Sequence, residues 1–386
     1  MKTQLALQNL AQNKARTCVA TAGVTFAVVL IFMQLGFLGA TRRTATLIYD
    51  GLDFDIVLRS PSYVHLTDAR TLPRERLLQA AAIPEVEHTR PFYLSINDWQ
   101  HPETGHWRGI IVMGTQPDDP VFTDEEIRRQ VRGLREPRFL LMDRKSKKGF
   151  GPKNGEKFGD EDLGVVTTLG REPVEIVGHF KLGAGFAADG AVLLSDQGFS
   201  RVSYFQNIDQ MTLGLITLRD DADPEVAKEK LQLAFQGLGD VTVETRAELY
   251  TNEEHHWVYE TKVGTVFWSG VLVALLVGIM IVYQVLSADV SRMIGEYATL
   301  KAMGYRDGYL SKVILQQAVA LAILGFAVGL GCAWLLYVYV AVNASIPMQM
   351  TRFTVVSVFV MSIFMCAMSG LAAVRKVWSA DPADLF

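Results

Sequence analysis

The chain has 386 residues, a formal net charge of −4 and 49% hydrophobic residues. It contains no Lys/Arg-rich block with interleaved aromatics, which excludes an electrostatic nucleic-acid binder, and it is too apolar for an ordinary soluble protein. The apolar residues collect into four charge-free runs, 17–41, 263–288, 313–342 and 353–374, each at or above the roughly 20 residues that cross a bilayer.

Residues 1–16 set Leu5, Leu7, Leu10 and Ala11 among Gln, Asn, Lys and Arg, the pattern of an amphipathic helix lying on the inner membrane surface. The first span, 17–41, starts too late, runs too long and lacks the small-residue exit of a cleaved signal peptide, so it is expected to stay as an anchor. Within it Gln34 is the one strongly polar side chain, in FMQLGF at 32–37, and a helix-to-helix hydrogen bond is its expected use, direct substrate contact being the other reading. Lys2, Lys14 and Arg16 precede this span, Arg292, Lys301, Arg306 and Lys312 lie between the second and third, and Arg375 and Lys376 follow the fourth. By the positive-inside rule those segments and both termini face the cytoplasm, and 42–262 lies outside, although Arg42 and Arg43 run against the trend.

The outer segment 42–262 mixes strand-like alternation at Phe54, Ile56 and Leu58, at 107–114 and at 210–218 with helical stretches at 73–82 and 224–236, each opened by a proline. This predicts a large α+β domain of two lobes, the outer one at about 116–202. The charged, glycine-rich stretch 143–162 reads as loop rather than core. Residues 244–262 read as a helix continuing into the second span. All three cysteines, Cys18, Cys332 and Cys366, fall in the spans, so the outer domain has no disulfide to draw on. In the second span Gly270, Ala274 and Gly278, and in the third Gly325 and Gly329, recur at four-residue spacing, where small residues let helix backbones approach closely, the ordinary tolerance of membrane helices for glycine being the other reading. A short outer loop, 343–352, joins the last two spans, and 375–386 forms a cytoplasmic tail.

Between the second and third spans, 289–312 holds Met293, Tyr297, Leu300 and Gly304 at steps of four and three on one stripe, beside Glu296, Lys301 and Met303. That pattern fits a short cytoplasmic helix docking into a soluble partner better than a solvated loop. Elsewhere the chemistry is sparse. GPKNGEKF at 151–158 lacks the spacing and the Ser/Thr of a phosphate loop, and GAGFAA at 183–188 is followed by a turn rather than the helix a dinucleotide fingerprint needs. The pairs His101/His106 and His255/His256 lack zinc-motif spacing, no G-x-S-x-G elbow occurs, and the spans carry no ionisable residue for proton coupling. A driven membrane machine of this composition draws its energy from a partner, and 289–312 is the expected docking segment. It is expected not to be an enzyme.

NLAQNKART at 9–17, the order of one span, a large outer domain and three more spans, and IGEYATLKAMGY at 294–305 resemble the FtsX/MacB class of ABC transporter permeases. More narrowly, FMQLGF, FKLGAGFAADG at 180–190, EYATLKAMGY at 296–305 and SADPADLF at 379–386 resemble the DevC-type permeases of that class. The resemblance implies the type VII, MacB-like architecture of four transmembrane helices with a large periplasmic α+β domain in the inner membrane. It also implies a homodimer in which each subunit docks a separate DevA-like ATPase holding the ATP and magnesium, with no cofactor in this chain. A DevB-like membrane fusion protein and, through it, a TolC-like outer-membrane channel would complete a tripartite exporter of an amphiphilic cargo, in DevC-type systems a glycolipid. Glu296, Tyr297, Leu300, Lys301, Met303 and Gly304 would then contact the ATPase. Phe180, Lys181, Gly183, Gly185 and Phe186, aromatic side chains among permissive glycines, form a candidate loop for cargo or fusion protein, a tight structural turn being the other reading. An FtsX-like signalling scaffold controlling an extracellular hydrolase and a lipoprotein-release permease are the alternatives.

Overall fold

A computed structural model describes residues 14–65, 68, 70–183, 189–203, 207–293, 295, 303, 307–343 and 346–378. Two compact units emerge, Thr41–Thr261 and a second made of Met1–Ala40 with Lys262–Phe386.

The first unit is α+β. Its strands are β1 (Ile56–Arg59), β2 (Leu72–Pro73), β3 (Val86–Gln100), β4 (Trp107–Thr115), β5 (Phe139–Asp143), β6 (Val166–Leu169), β7 (Glu172–Phe180), β8 (Ala191–Ser195), β9 (Gln210–Met211), β10 (Leu213–Leu218) and β11 (Thr242–Thr245). Nine of them form one sheet in the order β11-β1-β10-β3-β4-β8-β5-β7-β6, while β2 pairs with β9. The long strand β3 serves two neighbourhoods. Its first half pairs antiparallel with β10, from Val86 to Phe92, and its second half with β4, from Tyr93 to Gln100. Trp99 also pairs with Leu169 of β6, so the six strands from β3 round to β6 close on themselves. The outer lobe expected at 116–202 therefore lacks two of its walls as drawn, because 93–115 belongs to it.

β1 shows how sequence becomes layer. Ile56 and Leu58 face one apolar cluster with Trp99 and Phe199, and Val57 between them faces the other, with Phe92 and Phe122. A strand buried on both faces reads as a continuous apolar run. The helices α2 (Glu75–Ala80), α3 (Glu125–Val131), α4 (Asp196–Val202), α5 (Pro224–Ala234) and α6 (Arg246–His255) cover the sheet. Most carry their own start signal. Asp124 accepts from the Glu126 and Ile127 N–H groups, Ser195 from Gly198, Asp223 from Glu225 ahead of Pro224, and Thr245 with Glu248 makes a reciprocal capping box, each satisfying backbone donors the helix leaves open.

The stretch 143–162 corrects its sequence reading in part. It is irregular, with two short 3-10 turns, Lys148–Phe150 and Asp160–Asp162. Its aromatics nevertheless enter the core: Phe150 and Phe158 are buried, and Trp99 Nε1 donates to the Phe150 carbonyl at 3.0 Å.

The second unit is helical. Four helices, over Thr17–Asp50, Val263–Arg292, Ser311–Val342 and Arg352–Arg375, are long and apolar enough to cross a membrane. They belong to α1 (Lys14–Asp50), α7 (Val263–Arg292), α8 (Asp307–Asn343) and α9 (Arg352–Trp378). α1 does not stop at residue 41. It passes Arg42 and Arg43 and ends only at Asp50, its last turns belonging to the α+β unit. Conversely, the expected unbroken helix from 244 into the second span is interrupted. α6 gives way to a π-helical turn at His256–Glu260, and Lys262 adopts the left-handed conformation with φ 61° before α7 begins. A non-glycine residue there costs energy that a continuous helix would avoid.

Candidate functional site

The segment expected to dock an ATPase lies mostly outside the described residues. Glu296, Tyr297, Leu300, Lys301 and Gly304 are not described, whereas Met303 sits in a turn with an exposed side chain. α7 ends at Arg292 and α8 starts at Asp307, so the segment connects two spans. The amphipathic stretch before Lys14 and the SADPADLF tail are likewise outside the described residues.

The candidate outer loop divides. Gly185 and Phe186 are not described, and the remaining three residues differ in role. Phe180 ends β7 with its side chain 3% exposed in the core, so it cannot serve as a contact surface; Lys181 is exposed. Gly183 has φ 90°, a conformation glycine adopts without strain. Beneath it lies Asp143, fully buried at the end of β5. Its carboxylate accepts from the Gly183 N–H at 2.5 Å, the Leu182 N–H at 3.4 Å and the Lys145 N–H at 2.9 Å, while Lys145 Nζ donates to the Leu182 carbonyl at 3.1 Å. Burial raises the Asp143 pKa, and the three backbone donors oppose that shift. On the far side Lys147 and Arg108 hold Asp189, and Ser146 Oγ accepts from the Ala191 N–H.

The small-residue positions lie at helix crossings. A Cβ built at Gly270 on α7 would lie 2.5 Å from Gln34 Cδ of α1, and one at Gly278 would meet Met365 Sδ of α9 and, at 2.9 Å, Ala27 Cβ of α1. Ala274 between them is buried. On α8 a Cβ at Gly325 would lie 2.5 Å from Val24 Cβ, and one at Gly329 2.7 Å from Val28 Cγ1. Hydroxyls cross the same seams: Thr25 donates to the Gly325 carbonyl at 3.2 Å, Tyr337 to the Phe32 carbonyl at 2.5 Å and Ser369 to the Ile279 carbonyl at 2.8 Å.

The most connected polar site was not anticipated. In the α+β unit, Tyr49 and Asp50 at the end of α1 meet one face of α6. Arg246, Tyr250 and Glu253 are spaced by four and three, which sets them on that face. Tyr49 Oη donates to Glu253 Oε1 at 2.8 Å, Tyr63 Oη donates to the same oxygen at 2.5 Å, and the two hydroxyls lie 2.5 Å apart. Tyr250 Oη donates to Asp50 Oδ1 at 2.8 Å, and Arg246 donates to the Tyr49 carbonyl at 3.4 Å while stacking over Phe54. Arg59 pairs with Glu244, which also accepts from Asn252 at 2.9 Å, and Arg59 Nη1 donates to the Tyr63 carbonyl at 3.2 Å. Glu253 is 2% exposed, and its Oε2 has no hydrogen-bond partner among the described residues. Burial raises the pKa of both Glu253 and Tyr63; for Glu253 the tyrosine donors, His256 and Arg59 act the other way. One sequence signal could have found this site. Glu253 follows Leu249 by four residues, an acid on the apolar stripe of a short helix. Among the described residues no three His, Cys, Asp or Glu side chains gather as metal ligands.

No curated protein matches the chain. Among solved structures it is similar to the periplasmic region of MacB from Actinobacillus actinomycetemcomitans, with 10% identity, 54% of this chain and 95% of that one covered, and a TM-score of 0.37. It is also similar to the extracellular domain of the noncanonic ABC-type transporter YknZ from Gram-positive bacteria, with 12% identity, coverages of 50% and 99%, and a TM-score of 0.34. A domain of a permease protein from Porphyromonas gingivalis gives 17% identity, coverages of 50% and 90%, and a TM-score of 0.30. Within the chain, residues 268–382 match the family described as FtsX-like permease C-terminal, a range that takes in most of α7, all of α9 and α8 between them. Residues 268–382 are thus similar to an FtsX-like permease C-terminal region, and they lie among helices long and apolar enough to cross a membrane.

Proposed function

We propose that the chain is the permease subunit of an ATP-driven exporter, a lever moved at its cytoplasmic side by a separate ATPase. The observation that carries this reading is the FtsX-like permease match over 268–382, which brackets the 289–312 segment between two of its spans. In this reading Glu296, Tyr297, Leu300, Lys301, Met303 and Gly304 receive the ATPase, and ATP and magnesium belong to that partner. Two permease subunits pair, the large domain lies in the periplasm, and a DevB-like fusion protein with a TolC-like channel carries an amphiphilic cargo outward. The network at Glu253 supports a mechanical role. α1 runs unbroken from Lys14 to Asp50, and Tyr49 and Asp50 at its end are tied to α6 by three side chains.

The test is capture of the tagged chain from membranes, with export measured in parallel. An ATPase subunit is expected to co-purify. The double charge reversal Glu296→Lys with Lys301→Glu is expected to lower both its recovery and ATP-dependent export, with unchanged thermal unfolding. Unchanged export and ATPase stimulation in that variant would remove the docking assignment, and ATP hydrolysis by the rigorously pure chain would remove the reading altogether.

A further inference from the structure

The membrane unit contains a groove that the exporter reading does not use. It lies between the second half of α8 and the start of α9, has a volume of about 1210 Å³, and is lined by Leu330, Trp334, Val338 and Val342 on α8 and by Val355 and Val356 on α9. The four α8 residues repeat every four positions and so form one face. Beyond Leu330 that face is uncovered: Trp334, Val338 and Val342 are each at least 46% exposed, as is Val356 of α9. Side chains of this kind at the depth of a charge-free span meet hydrocarbon, not water.

The groove is polar at one end only. Gln349 and Arg352 line it where α9 begins, at the edge of the charge-free run, and no Asp or Glu is among the lining residues. Tyr337, on the floor, has already committed its hydroxyl to the Phe32 carbonyl. The groove thus presents a long apolar slot closed by a cation at the membrane boundary. A second copy of the chain meets this feature poorly, because an isologous contact would set the Arg352 patch against its own equivalent with no carboxylate to separate them.

We propose that this groove holds an anionic phospholipid, one acyl chain along the α8 face and its phosphate at Arg352. The chain chemistry is set by the apolar walls and the headgroup chemistry by the lone guanidinium, whose planar fork matches phosphate oxygens. One position allows the slot to be closed without disturbing the bundle. Gly331 lines the groove, and a Cβ there would meet nothing within 4 Å.

The test is native mass spectrometry of the full-length protein released from bilayers containing equal amounts of phosphatidylglycerol and phosphatidylcholine with identical acyl chains. The wild type is expected to retain phosphatidylglycerol about fivefold over phosphatidylcholine, the weight of one interfacial basic residue. Arg352→Gln is expected to keep lipid adducts but lose the preference, and Gly331→Trp to lose adducts of both lipids with unchanged thermal unfolding. Inorganic phosphate at the same concentration is expected not to displace the lipid. Equal retention of the two lipids by the wild type, a preference that survives Arg352→Gln, or disulfide-linked dimers formed through Trp334→Cys in place of lipid adducts would each overturn the proposal.

Discussion

The α+β unit and the membrane unit solve the problem of fixing one arrangement by opposite means. In the α+β unit, specificity comes from buried acids: Asp143 gathers three backbone donors under Gly183, and Glu253 gathers two tyrosines at the end of α1. In the membrane unit the charge-free runs hold no Asp, Glu, Lys, Arg or His, and close approach comes from the absence of atoms at Gly270, Gly278, Gly325 and Gly329. A buried acid is tolerable where donors meet it, three at Asp143 and two on one oxygen of Glu253, whereas in hydrocarbon the same group has no favourable reference state. One unit therefore breaks most readily by losing a polar partner, the other by gaining volume.

The largest effect that separates them is expected at Asp143. Replacing it with alanine leaves the N–H groups of Leu182 and Gly183 without their acceptor in a buried place, and that of Lys145 at a half-buried one. Each stranded donor costs on the order of 1–3 kcal/mol, so Asp143→Ala should destabilise the α+β unit by about 3–5 kcal/mol, partial solvation absorbing the rest. Denaturant unfolding of the full-length protein, read by tryptophan fluorescence, measures it. A loss below about 1 kcal/mol would mean that the carboxylate does not organise the base of this loop.

The volume counterpart is Gly325→Ala. The new methyl would sit 2.5 Å from Val24 Cβ and 3.3 Å from the Thr25 backbone nitrogen, so α1 has to move. Overpacking of this kind costs about 1–3 kcal/mol. Val24→Ala in the same chain removes Cγ1, which the new methyl would meet at 2.4 Å, and leaves Cβ, so it should recover part of the loss. Thermal unfolding in mild detergent reads both, and a double variant no better than the single one would place the strain elsewhere.

How much of this was legible in the sequence follows the same division. The four spans announce themselves because length and lack of charge are local properties, and α5 with its Asp223-Pro224 start does so too. A strand does form at 107–115, where alternation predicts one, but it runs from an exposed start to a buried end rather than alternating. What escaped is non-local. The Trp99 to Leu169 pairing that closes the outer strands links residues from distant parts of the chain and leaves no periodic trace in either. The entry of Phe150 and Phe158 into the core was masked by the charged glycine-rich sequence around them. The break before α7 falls at Lys262, whose positive φ no glycine or asparagine advertises. The Glu253 site could be read only in fragments, because Tyr49, Tyr63 and Glu253 come from three separate segments.

A smaller effect with a distinctive sign is expected at Glu253. Burial raises its pKa, so the folded state keeps the proton to a higher pH than the unfolded state does. Its contribution to stability is then greatest at low pH and declines as pH rises from the ordinary glutamate range of about 4.3 through the raised folded value. Glu253→Gln removes that titration while its carbonyl still accepts from Tyr49 and Tyr63. Relative to wild type the variant should therefore gain stability as pH climbs toward neutral and lose that advantage near pH 4. Taking the difference between the two proteins cancels the other acids. A difference that runs the opposite way would mean that the tyrosine donors and Arg59 outweigh burial and hold the carboxylate charged.

The smallest expected effect sits at the one crossing where the two strategies meet. Gly270 is a volume position, but the atoms facing it belong to the amide end of Gln34, the single strongly polar side chain of the first span. A long side chain can swing its end aside where a valine Cβ or a backbone atom cannot, so Gly270→Ala should cost less than about 1 kcal/mol, against about 1–3 at Gly325. Gln34→Leu alone trades an amide for a branched apolar group of similar size facing Gly270 and should change stability by less than about 1 kcal/mol. If Gly270→Ala instead proves as damaging as Gly325→Ala, the amide of Gln34 is held in place, and this seam has to be counted with the hydrogen-bonded sites rather than with the empty ones.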